Sequence, residues 1–229
     1  MTPHYLREYR KLMRNLQRKH DDGDEAYEAA VGGNYIAQGK LQAKLVLSVA
    51  PDGPFNLLDI GCGSGRAAYA LRNEQRISYI GADILPELLD YARKKCARGD
   101  WRFELLTEIA APAQDDWADV AMFMSVFTHL KPAEIKQYLA EAARALKPGG
   151  VIICSYLNRH FAPHKAAFRA APLQWIGRLL GRDVMLSYTT REELAGWLEE
   201  SGFSVEKTIT YETARQHVMI GRRKNGPDA

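Results

Sequence analysis

From Phe55 onward, short apolar runs alternate with longer stretches in which apolar residues recur every three or four positions. FNLLDI (55–60), ISYIGADI (77–84), WRFELL (101–106), ADVAMFMS (118–125) and VIICSYL (151–157) have the length and the β-branched or aromatic content of strands. Helical spacing fills the gaps. It runs from about Arg66 to Asn73, through PELLDYARKKCAR (86–98) with Pro86 in its first turn, and through PAEIKQYLAEAARALK (132–147), where Ile135, Leu139, Ala142 and Leu146 share one face. Pro148-Gly149-Gly150 is expected to end that last helix. Strands that alternate with helices of this length predict parallel βαβ units, hence an α/β chain with a doubly wound sheet.

The tail breaks the rhythm. REELAGWLEESG (191–202) reads as a helix, and FSVEKTITYE (203–212) and RQHVMIGRR (215–223) read as two strands. Their connection is too short for a parallel crossover, so the pair must be antiparallel.

Two segments lie outside the alternation. Residues 1–50 are mostly helical in pattern, and residues 158–189 separate the fifth strand from the last helix by more than a plain connection needs. The expected organisation is an N-terminal helical cap (1–50) and a main domain (51–229) carrying a cap insertion (158–189). Tyr5, Tyr9, Leu12 and Leu16 form one stripe of the first helix, which also carries Arg7, Arg10, Lys11, Arg14, Arg18 and Lys19. The insertion has Arg159, Lys165, Arg169, Arg178 and Arg182, no acidic residue from 158 to 182, and an apolar face including Leu173, Trp175 and Leu179. Basic amphipathic segments can meet an anionic acceptor, make weak contact with a lipid surface, or bind RNA. Covering the ligand end of the sheet is the preferred reading of both.

Composition narrows the class. A chain of 229 residues, 46% apolar and 26% charged, suits one α/β domain with an appendage and excludes wholesale disorder. The longest apolar run, residues 118–127, has ten residues, against the roughly 20 of a membrane-spanning helix. The N-terminus has no apolar core, so no secretory signal is expected. Cys62, Cys96 and Cys154 are too isolated for a disulfide framework or a zinc set, so a cytoplasmic, metal-free protein is expected. A net charge of +3 does not call for nucleic acid.

The densest chemistry lies in Leu57-Leu58-Asp59-Ile60-Gly61-Cys62-Gly63-Ser64-Gly65-Arg66. Ligands of doubly wound sheets bind beyond the carboxyl ends of the strands, and three glycines there allow a tight turn with no side chains in the way. Asp83 ends the second strand 22 residues after Gly61, where a carboxylate can accept from both hydroxyls of a ribose. A dinucleotide fingerprint would need a small residue where Arg66 stands, and Asp59 beside the turn would repel a pyrophosphate. The charges favour S-adenosylmethionine, which carries a sulfonium and an ammonium.

LLDIGCGSGR, with YIGADILPELLDYA, SVFTHL and EAARALKPGG further on, resembles the motifs of the class I S-adenosylmethionine-dependent methyltransferases, closely over residues 31 to about 155. VGGNYIAQGKLQAKLV (31–46) is similar to a bacterial, small-molecule subgroup with a Gly-Gly segment and a Gly-x-x-Gln helix. The resemblance implies a Rossmann-like, seven-stranded sheet with a reversed last strand. It also implies that Gly61, Cys62, Gly63 and Gly65 hold the methionine end of the donor near Asp59, and that Asp83 binds the ribose. Ile84 would pack on adenine, Thr107 or Glu108 would approach its amino edge, and Ser125 to His129 would lie beneath the methionine, with Ser125 among the cofactor contacts, and face the acceptor.

Methyl transfer needs alignment above all, and a base chiefly for a hydroxyl or a protonated amine. His129 is the candidate base, with a purely structural role as the alternative. Tyr156, Arg159 and His160 are candidate substrate contacts, and His160 and His164 read as solvated loop histidines. Pro163 argues against a helix that would put those two on one face. The leading expectation is O-methylation of a polar small molecule or a saccharide-containing metabolite by a monomer or homodimer, with S-adenosylhomocysteine as product. RNA methylation and a non-catalytic, cofactor-binding partner of another methyltransferase are the alternatives.

Overall fold

The computed structural model describes residues 4–20, 23–32, 34–164, 185–210 and 216–225. Three helices come first: His4–Lys19 (α1), Gly23–Ala30 (α2) and Tyr35–Leu47 (α3). Asn34 caps α3, its side chain accepting from Ala37 N at 2.9 Å. Then follow Phe55–Ile60 (β1), Arg66–Leu71 (α4), Ile77–Asp83 (β2), Pro86–Cys96 (α5), Arg102–Leu105 (β3) and Ala118–Phe123 (β4). Pro132–Ala145 (α6), Leu146–Tyr156 (β5), Arg191–Glu200 (α7), Phe203–Ile209 (β6) and His217–Arg223 (β7) complete the order. Thr190 and Glu193 start α7 with a reciprocal pair, Glu193 N to Thr190 Oγ1 and Thr190 N to Glu193 Oε2.

One seven-stranded sheet has the order β3-β2-β1-β4-β5-β7-β6. β1 to β5 are parallel, and β7 inserts antiparallel between β5 and β6. Both faces are covered, which is why the central strands read as nearly unbroken apolar runs. Leu58, Ile60, Ile80, Ala121 and Phe123 pack toward α6 and α7. Leu57, Tyr79, Val120, Met122 and Ile153 pack on the opposite side, with residues of α3, α4 and α5. Asp59 lies on that second face, opposite Gly81 of β2.

The expected elements form, with shorter ends. The largest difference is at Pro148-Gly149-Gly150, which lies inside β5 and not between helix and strand. α6 ends at Ala145, Leu146 already pairs with Ala118, and the register then shifts between Ala118 and Val120. Gly149 at φ +75° and the close approach of Gly150 to Lys147 O and Asp119 O make this a bulge that only small residues fit. As expected, no helix carries both His160 and His164, although Pro163 itself sits in a helical turn. Residues 162–164 are helical, and proline is tolerated in a first turn where its missing N–H has no partner to lose. His160 precedes that turn and is exposed, whereas His164 is buried, accepting from Asn158 N at 3.0 Å, so only His160 is the solvated histidine expected. The apolar face and most of the basic residues of the insertion lie outside the described residues.

Candidate active site

At the carboxyl end of β1 the chain turns through Gly61, Gly63 and Gly65, all left-handed with φ of +73°, +56° and +77°. L side chains rarely adopt that backbone, and space is short as well. A Cβ on Gly61 would lie 2.4 Å from Val126 Cγ2, and one on Gly65 would lie 2.7 Å from Ala92 Cβ of α5. The turn is anchored through Gly61 N and Cys62 N, which both donate to Ala82 O, and through Gly63 N, which donates to Asp83 Oδ2 at 2.9 Å. Leu85 N donates to Asp83 Oδ1 at 3.0 Å, so Asp83 holds the turn and the start of α5 together.

This turn floors a cleft of about 520 Å³. Asp59 and Asp83 both line it while only 2% and 8% exposed. Burial pushes their carboxyls up, Asp59 to about 7 and Asp83 to about 6, against hydrogen bonds that pull the other way. Ile84, Leu88 and Leu106 supply apolar lining near Asp83. Thr107 and Glu108, expected beside the adenine, are exposed and do not line the cleft. Leu106, just before them, is the residue of this stretch that lines the cleft, its N–H donating to Asp83 O at 2.8 Å.

The segment before β1 closes one side. Arg66 Nη1 donates to Val31 O and Gly32 O, both at 2.9 Å, and the Gln42 carboxamide, turned so that its oxygen faces the guanidinium, accepts from Arg66 Nε and Nη2 at 3.2 and 3.1 Å. A Cβ on Gly39 would meet Arg66 O at 2.4 Å, so α3 and α4 touch backbone to backbone. The Gly-x-x-Gln spacing thus has a packing cause: the glycine admits α4 and the glutamine, one turn on, meets its arginine. On the other side, all four residues of the α1 stripe (Tyr5, Tyr9, Leu12 and Leu16) line the cleft. Among the described residues no helix is long and apolar enough to cross a membrane, and no cluster of three His, Cys, Asp or Glu could hold a metal ion.

After β4, Ser125 turns left-handed at φ +64° and a 3₁₀ turn, Phe127–His129, follows. His129 lines the cleft, with Tyr9 edge-on to its ring at a centroid distance of 5.4 Å. Its Nδ1 lies 2.7 Å from Met185 O. A carbonyl only accepts, so Nδ1 carries the proton and Nε2 keeps its lone pair. Burial lowers the pKa of His129, so the ring is neutral at neutral pH. Met185 N in turn donates to Glu8 Oε2 at 2.7 Å, which ties α1 to the end of the insertion.

Two features were not anticipated. Gln216, just before β7, receives hydrogen bonds on Oε1 from Ser155 Oγ at 2.6 Å and Ser125 Oγ at 3.2 Å, while Ser125 N donates to Ser155 Oγ at 2.7 Å. Gln216 and Ser125 line the cleft and also an adjoining groove of about 510 Å³ that runs past Leu41, Lys44 and Leu45 of α3. No local motif marks Gln216, since only the antiparallel return of β7 brings it to Ser125. The second feature is Tyr79, whose hydroxyl donates to Asp59 Oδ2 at 2.9 Å. Gly81 inside a strand was the available sign of a close approach there. The expected substrate contacts lie elsewhere. Tyr156 is buried against His217, Arg159 pairs with Glu193, His160 is exposed, and none of the three lines the cleft.

Residues 5–208 match a family described as a methyltransferase domain. The chain belongs to that family. It is an S-adenosylmethionine-dependent methyltransferase. Among its relatives, the demethylmenaquinone methyltransferase of Tropheryma whipplei is 27% identical over 222 residues, covering 85% of this chain and 90% of that protein. The ubiquinone biosynthesis O-methyltransferase of Cereibacter sphaeroides is 30% identical over 176 residues, covering 74% of this chain and 69% of that one. Among solved structures, the magnesium protoporphyrin IX methyltransferase of Synechocystis with bound S-adenosylhomocysteine superposes with a TM-score of 0.64 at 16% identity. That match covers 93% of each chain and bears on the fold of this methyltransferase.

Proposed function

We propose that this methyltransferase transfers the methyl group to a hydroxyl oxygen of a small, ring-bearing acceptor, with His129 as general base. The observation that carries the proposal is the fixed tautomer of His129, whose Nδ1–H is held by Met185 O, so that the lone pair of a ring lining the cleft is on Nε2. Neutral Nε2 takes the acceptor's hydroxyl proton as the oxygen attacks, which is the step an unactivated hydroxyl needs most. The acceptor is a small molecule, and the relatives that act on quinone-pathway compounds support a hydroxylated ring. The apolar walls from Tyr5, Leu130 and Tyr138 support a ring more than the saccharide expected from sequence.

S-Adenosylmethionine, when bound, supplies an electrophilic methyl on a sulfonium. The cleft fits it: the turn at Gly61, Cys62 and Gly63 leaves room for the methionine end, and Asp59 offers buried negative charge to its cationic groups. Asp83 would take the ribose hydroxyls, and Ile84 and Leu106 would flank the base. Gly65 acts through packing on α5, and Ser125 holds the acceptor side of the floor. The first fifty residues serve as a cap, and the enzyme works in the cytoplasm. The test is transfer of labelled methyl to a panel of hydroxylated aromatic rings, saccharides and RNA, followed by His129→Ala. Transfer to the rings that falls with the variant supports the reading. Transfer only to RNA, or turnover untouched by the variant, rejects it.

A further inference from the structure

Tyr79 is a tyrosine in the middle of a buried parallel strand, where an aliphatic side chain would fill the space without a hydroxyl to satisfy. Its ring is clamped by Trp101, at a centroid distance of 4.6 Å, and by Phe103, at 5.5 Å. It lies along β2 toward the carboxyl end of the sheet and passes directly over Gly81. A Cβ on Gly81 would stand 2.7 Å from both Tyr79 Cε1 and the hydroxyl oxygen. That notch lets the hydroxyl cross from β2 to β1 and donate to Asp59 Oδ2 at 2.9 Å.

We infer that Tyr79 is the positioning residue of the donor site, aiming the Asp59 carboxyl and favouring its ionised form for the positively charged end of the methyl donor. The inference rests on the reading of Asp59 as a donor contact. A carboxyl 2% exposed prefers to be protonated, and a neutral Asp59 offers a cation no opposite charge. The phenol O–H donates to it, and a hydrogen bond given to a carboxylate favours the ionised form. The phenol stays protonated throughout, because burial raises its own pKa well above the ordinary range. The other titratable groups facing Asp59 are Arg66 from α4, Asp83 at the end of β2, Cys62 of the turn and Cys96 of α5. All of them are left in place when only the Tyr79 hydroxyl is removed. Trp101 and Phe103 hold the ring, and Gly81 leaves the space its hydroxyl occupies.

The test is calorimetric titration of S-adenosylhomocysteine, which keeps the ammonium of the donor, into the native enzyme and Tyr79→Phe from pH 6.5 to 8.5. Phenylalanine keeps the stacked ring and removes only the hydroxyl. Raising the carboxyl by about one unit makes the variant bind about tenfold more weakly at the acid end, the difference closing to about twofold or less at pH 8.5 as both carboxyls ionise. Asp59→Asn should bind weakly at every pH, and adding Tyr79→Phe to it should change nothing further. A Tyr79→Phe defect that is equal at all pH values, or absent, overturns the inference, as does an added loss in the double variant. Failure of the native enzyme to bind S-adenosylhomocysteine would instead reject the donor reading itself. A native fold with native binding and an unaltered profile would reject Tyr79 alone.

Discussion

The two halves of the cleft are built in different ways. On the β1–β2 side, the parts are a left-handed turn, a carboxylate that fastens it and a second carboxylate fastened by Tyr79, all between Asp59 and Leu85. On the β4–β5 side, the parts are His129, Met185, Glu8, Ser155 and Gln216, drawn from five separate stretches of chain. The first half fixes its geometry with backbone and buried charge, and in the proposed reading it serves the methyl donor. The second fixes its geometry with side chains that meet only in the folded state, and in the proposed reading it faces the methyl acceptor. The contrast implies that damage to the first half is read in donor affinity, and damage to the second in turnover or acceptor affinity.

The sharpest way to break that contrast is His129→Ala. Turnover should fall roughly 10²–10⁴-fold while S-adenosylhomocysteine affinity stays within about threefold. Comparable losses in both, measured by single-turnover rates and calorimetry, would dissolve the division. Gly61→Ala is the mirror experiment. The left-handed backbone costs about 1–2 kcal/mol for an L side chain, and a Cβ 2.4 Å from Val126 Cγ2 must push the β4 loop aside. Donor affinity should fall on the order of 100-fold, and crystallography of the variant would show whether the β4 loop has moved.

Much of the first half could be read from the chain before folding, because its constraints are local. Glycine at 61, 63 and 65 has a steric meaning wherever it occurs after a strand, and Asp83 at the next strand end completes it. The fold was legible for a similar reason, since burial on both faces leaves central strands apolar throughout. Thr107 and Glu108 were misplaced because β3 ends at Leu105 and the next residue, Leu106, turns inward. His164 was misread as solvated because Asn158 N, the group it binds, is set by the path of the chain after β5. Gln216 was missed because its partners Ser125 and Ser155 are 91 and 61 residues away.

Gln216→Leu sharpens the comparison with a smaller effect. Its carboxamide oxygen is occupied by two hydroxyls, so the NH₂ end is what it has left for an acceptor oxygen at the junction of cleft and groove. Loss of one such hydrogen bond is worth about 0.5–1.5 kcal/mol. The acceptor KM should rise roughly three- to tenfold with donor affinity unchanged. An unchanged KM would leave Gln216 as a brace for Ser125 only.

The most diagnostic effect concerns the stability of the donor-free chain. Asp59 has its carboxyl raised to about 7 in the folded chain, chiefly by burial. The unfolded chain binds fewer protons there, so folding stability is lost as pH rises from about 4 toward 7, and above that the fold carries an ionised buried carboxylate. Asp59→Asn removes that penalty, and its amide oxygen can still accept from Tyr79. At pH 8 the donor-free variant should unfold at higher denaturant than the native chain, by about 1–2 kcal/mol, with the gain shrinking as pH approaches 4. A site that costs the empty protein stability and repays it when a cation arrives is the mark of a binding carboxylate. Were Asp59→Asn destabilising at pH 8, the carboxylate would be holding the turn together, and the first half of the cleft would be a structural brace like Asp83's clasp on Gly63 and Leu85.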